Sequence, residues 1–115
     1  MLEPKPMPPL TFSTFAELEA AGRQGGRRYL EFLRIPAMSA GIYVLAAGSA
    51  DPQSPHAEDE MYYVVRGRAR IRVGLLDEAV APGSIIFVPA REEHRFYEIE
   101  EELAVLVFFA PAERK

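Results

Sequence analysis

His56 and His94 are the two histidines of the chain, and each stands in a segment whose residue types could hold a divalent metal ion. In the run from Gly48 to Gly67, the residues Ser54, His56, Glu58 and Glu60 alternate in sequence, so an extended backbone points all four to one side. His56 and Glu60 can then converge on one point. The second segment, Pro82 to Phe96, reads as a turn at Pro82-Gly83, a buried strand, a stop at Pro89 and then His94. Two antiparallel segments could bring His94 across from His56. The chain has no cysteine, which excludes disulfides, thiolate zinc sites and a cysteine nucleophile, and leaves imidazole, carboxylate, amide and hydroxyl groups as the available ligands. Taken singly, an imidazole is more often an ordinary hydrogen-bonding group than a ligand.

The two segments resemble the two motifs of the cupins, small β-barrels of the jelly-roll class. Gly48, Ser54, His56, Glu60 and Gly67 fall on the positions of the first motif, with Ser54 standing where the family has its first histidine. Gly83, Pro89, Arg91 and His94 fall in register with the second, with Arg91 in place of a glycine. The resemblance covers roughly residues 29 to 110, and the short stretch 68–82 between the motifs is similar to that of minimal single-domain members. It implies an all-β double-stranded β-helix and a metal held by His56, Glu60 and His94, with Gln53, Ser54 or Glu58 as a fourth ligand or as a hydrogen-bond partner of the ligands. A set of two histidines and one carboxylate with open positions suits Fe(II) oxygen chemistry, and Zn, Mn, Ni or Cu could also occupy it. The function implied is a metal-dependent enzyme acting on a small molecule, oxygenase-like in its chemistry. A non-catalytic binding or sensing module and a metal-assisted isomerase are the alternatives, since one fold hosts all three.

The elements that must position these residues follow from the local patterns. At 115 residues and 49% apolar the chain suits one domain with a real core. We divide it into an arm and short helix over residues 1–28 and a barrel over 29–115. Four prolines in the first ten residues make that stretch an extended arm. Thr14 and Glu17 have capping-box spacing, and Phe15, Leu18 and Ala21 recur at helical intervals, which predicts a helix ending near Gly22. From there the pattern predicts strands over Tyr29–Ile35, Gly41–Leu45, Glu60–Arg66, Ala69–Val73, Ser84–Val88, His94–Ile99 and Leu103–Phe109.

Tyr62 and Phe96 share parity with Glu60 and His94 and point inward, to line the pocket or fill the core. Arg66, Arg68, Arg70 and Arg72 alternate around an expected glycine turn, where they could line a mouth for an anionic substrate or, as we read them, face water. Met61, Tyr63 and Val65 make the opposite face of their strand apolar as well, so a partner subunit or the proline arm should cover it, and a homodimer is expected. A net charge of −4 argues against a nucleic-acid partner. No signal-like or membrane-spanning apolar run is present, and a cytoplasmic protein is expected.

Overall fold

The computed structural model describes residues 10–52 and 55–114; the proline arm over 1–9 and the candidate ligands Gln53 and Ser54 lie outside the described residues. Thr14 is extended, and its Oγ1 accepts the Glu17 N–H at 3.2 Å, so the helix starts where the spacing predicts: α1, Phe15–Gln24. It runs past Gly22, which is buried within the last turn, and closes at Gly25, whose N–H reaches the Ala21 carbonyl at 3.2 Å.

Six strands follow: β1 Tyr29–Ile35, β2 Met38–Leu45, β3 Asp59–Val73, β4 Leu76–Val80, β5 Ile85–Val88 and β6 His94–Ala110. Every pairing is antiparallel, in the order β1-β2-β6-β3-β4, with β5 beside the first half of β3. The fold is therefore all-β and of the jelly-roll class, as expected.

Three strand expectations need correction. Glu60–Arg66 and Ala69–Val73 are one strand, β3, and His94–Ile99 and Leu103–Phe109 are one strand, β6. The residue expected to turn the chain, Gly67, instead sits among register shifts between Val64 and Arg70. Its φ is +99°, and a Cβ there would overlap the Glu102 carbonyl on β6. Gly67 thus bends a long strand rather than ending it, as a bulge does. The strand Leu76–Val80 was not foreseen, because Leu-Asp-Glu-Ala-Val has weak strand propensity and buries only Val80.

These bends let β3 and β6 wrap round a core of Tyr62, Val64, Ile71, Val88, Phe96, Leu103, Val105, Val107 and Phe109. Along the start of β3, Glu60, Tyr62 and Val64 are buried while Met61 and Tyr63 are exposed, so this face points out of the barrel as predicted. Helix α1 packs on β1 and β2 and does not cover it. Arg66, Arg70 and Arg72 are outward too, but each is paired: Arg66 with Glu19 and Glu102, Arg70 and Arg72 with Asp77. Among the described residues, no helix is long and apolar enough to cross a membrane.

Candidate metal centre

Glu60 lies at the start of β3, and its inward parity follows from the alternation that buries Tyr62 and Val64 beside it. His94 opens β6 and faces β3 from the same side of the barrel. His56 comes from the loop before β3, which is tied to the second segment by the Arg91 N–H on the His56 carbonyl at 2.5 Å. The three side chains converge. Glu60 Oε1 is 3.0 Å from His94 Nε2 and 4.0 Å from His56 Nε2, and one ligand atom from each residue lies within 4.8 Å of the others.

The Glu60 and His94 side chains are 1% exposed and that of His56 is 19% exposed, so the cluster sits inside the barrel with His56 nearest the opening. Both Glu60 oxygens and His94 Nε2 are buried without a hydrogen-bond partner, because the close Glu60–His94 approach is not aligned along an N–H. Orphaned buried polar atoms cost on the order of 1–3 kcal/mol each, more when charged. A cation among them removes that penalty. Burial pulls the His94 imidazole down, yet the Glu60 carboxylate and the Glu92 carbonyl outweigh it and hold the group above its ordinary value. The surroundings of Glu60 thus favour positive charge, and two imidazoles with one carboxylate are a donor set that transition metals accept.

Each histidine has a partner on its other nitrogen. His94 Nδ1 lies 2.9 Å from the Glu92 carbonyl oxygen, which can only accept, so Nδ1 carries a proton and Nε2 is the nitrogen that faces Glu60. His56 Nδ1 lies 3.2 Å from Glu113 Oε2 in the tail after β6. Burial pushes the Glu113 carboxyl above its usual range, while His56 pulls it back.

A cavity of about 200 Å³ opens beside His56, lined by Tyr29, Tyr43, Val107, Phe109 and Glu113. Tyr29 Oη is buried there without a hydrogen-bond partner, and its ring lies over Gly41, where a Cβ would collide with it. The Tyr43 hydroxyl donates to Asp51 at 2.7 Å, and Asp51 also accepts the Phe96 N–H at 2.9 Å, joining the first segment to β6. Tyr62 and Phe96 point inward as expected, packed edge to face with centroids 4.9 Å apart in the core beside His94. Glu58 is buried, but its carboxylate turns to the tail, where it accepts the Arg114 N–H at 3.4 Å. Glu113, Tyr29 and Asp51 escaped the sequence reading. Neither Tyr29 nor Glu113 has a local signal, since each reaches the site only through the fold.

A family model for the cupin domain matches residues 41–110. The chain belongs to the cupin family. It is 52% identical over 97 residues to an uncharacterized protein of Streptomyces coelicolor, covering 84% of this chain and 92% of that protein. Among solved structures, TT1209 from Thermus thermophilus is similar at 25% identity and a TM-score of 0.70, covering 90% of this chain and 99% of its own. The DMSP lyase DddQ from Ruegeria pomeroyi matches at 18% identity and a TM-score of 0.66, over 90% of this chain and 67% of that one, a likeness of fold alone.

Proposed function

We propose that the protein is a metal-dependent enzyme acting on a small molecule in the cavity beside His56, with a divalent ion held by His56, Glu60 and His94. The observation that carries this reading is the convergence of buried, partnerless Glu60 and His94 atoms with His56. An Fe(II) ion bound there would supply oxygenase-type chemistry, and Zn, Mn, Ni or Cu would supply Lewis acidity. The chain's own contributions are distinct from the ion's. Tyr43, Val107 and Phe109 offer an apolar wall that keeps water from the reacting molecule, and Tyr29 Oη offers a hydrogen bond to orient it. Burial pushes the Tyr29 phenol up, so it acts as a donor rather than a base at neutral pH. Glu58 contributes through the tail that it helps to hold.

Elemental analysis of protein purified without added metal or an affinity tag tests the site. A turnover screen on metal-loaded protein then tests the reaction. Oxygen uptake supports the oxygenase, conversion without oxygen supports an isomerase, and saturable binding without conversion supports a binding module. Stoichiometric absence of metal overturns the proposal.

The same reading includes a homodimer. Met61, Tyr63, Ile85 and Phe87 are 44%, 41%, 67% and 54% exposed on adjoining strands, an apolar face of the kind that a second subunit covers.

A further inference from the structure

We propose that Glu113 is a positioning residue for His56: its carboxylate accepts a hydrogen bond from Nδ1–H and so commits Nε2 to the metal. This rests on the metal reading above.

The two nitrogens of His56 face different groups. Nδ1 is 3.2 Å from Glu113 Oε2, and Nε2 is 4.0 Å from Glu60 Oε1. A neutral imidazole carries one proton, and an ionised carboxylate only accepts, so Glu113 draws the proton to Nδ1 and leaves the Nε2 lone pair on the Glu60 side. His94 reaches the same state through the Glu92 carbonyl. Glu113 does for one ligand what a backbone group does for the other, with a full charge instead of a dipole. Its carboxylate stands on the far side of the ring from the cluster of His56, Glu60 and His94.

The tail is built to hold that carboxylate. Ser39 Oγ accepts the Glu113 N–H at 2.9 Å, and Arg34 Nη2 donates to the Glu113 carbonyl at 2.5 Å. Arg34 is itself held in a two-pronged pair with Glu31, at 2.8 and 3.0 Å. With its backbone fixed on both polar groups, Glu113 presents its side chain to His56 at little further cost in entropy. His56 needs such a partner more than His94 does, because it comes from a loop and is the more exposed ligand.

The test compares wild type with Glu113→Ala and Glu113→Gln, measuring Co(II) affinity by chelator competition, the visible Co(II) spectrum, and the melting temperature of metal-free protein. Glu113→Ala should weaken Co(II) binding about 10- to 100-fold, the usual effect of losing a group that orients a ligand. Glu113→Gln keeps an acceptor for Nδ1–H and should recover most of that loss. All three proteins should share one ligand-field spectrum. Equal affinity in wild type and Glu113→Ala overturns the proposal while leaving the metal site standing. A Glu113→Gln protein as weak as Glu113→Ala, with an altered spectrum, overturns it in favour of direct ligation by Glu113. A lowered melting temperature with unchanged affinity assigns Glu113 a structural role and also overturns it. A wild type without Co(II) affinity removes the metal reading and this inference together.

Discussion

Arg91 donates its backbone N–H to the carbonyl oxygen of His56 at 2.5 Å, and it does so with a φ of +66°. That one bond ties the loop carrying the first ligand to the segment carrying the last. It also explains the position: the left-handed conformation is what a glycine adopts freely, and this chain holds it with an arginine.

Arg91→Gly should therefore raise stability. Relief of the left-handed strain is worth about 1–2 kcal/mol, and the added freedom of glycine in the unfolded chain returns about 0.5–1 kcal/mol of it. The net expectation is a rise of up to about 1.5 kcal/mol, read as a higher urea midpoint at unchanged slope. A lower midpoint would show that the Arg91 side chain contributes more than its backbone costs.

Gly67→Ala should act in the opposite direction and more strongly. The substitution meets both a positive φ and the Glu102 backbone, which cannot move aside as a flexible side chain could. A loss of at least about 2 kcal/mol is expected. Urea denaturation checks it, and a loss within about 0.5 kcal/mol, typical of a neutral surface change, would show that the bulge relaxes freely.

Metal removal should lower stability by mass action. At a free ion concentration of a hundred times Kd the ion contributes about 2.7 kcal/mol, or roughly 10 °C in Tm for a domain of this size. A chelator should remove that increment from wild type and leave the Tm of His94→Ala unmoved. Chelator sensitivity that survives in His94→Ala would place the ion elsewhere.

Acid sensitivity should come in part from one network. Arg66 holds the Glu19 carboxyl below its ordinary value, and Arg23 does the same for Glu102, with Arg66 assisting. Both folded-state values lie below the reference of 4.5, so their stabilisation is present above about that pH and is lost as pH falls through the lowered values. Arg66→Met should flatten the stability-against-pH curve below pH 4.5, as measured by denaturation at a series of pH values. An unchanged acid limb would assign the loss to other carboxylates.

The proposed dimer should give a mass of twice 12.9 kDa by light scattering. Phe87→Glu, on the exposed apolar face opposite Met61, should yield monomer that still binds metal, and deleting residues 1–10 should weaken association. A monomeric wild type at micromolar concentration refutes this assembly.

The family and the set of His56, Glu60 and His94 were implied by the resemblance of the two segments to its motifs, and the strand-rich class was legible because alternation along a strand and the Gly–Pro punctuation around it are local properties of the backbone. The helix start at Thr14 was legible for the same reason. Tertiary structure alone decided that Gly67 bends β3 rather than ends it, since that depends on the Glu102 backbone passing close by on β6. It also brought Glu113 to His56, through Arg34 and Ser39 on the β1–β2 hairpin, across a separation that no local pattern can encode. Spacing specifies which residues share a face; only the crossing of distant strands specifies what stands opposite them.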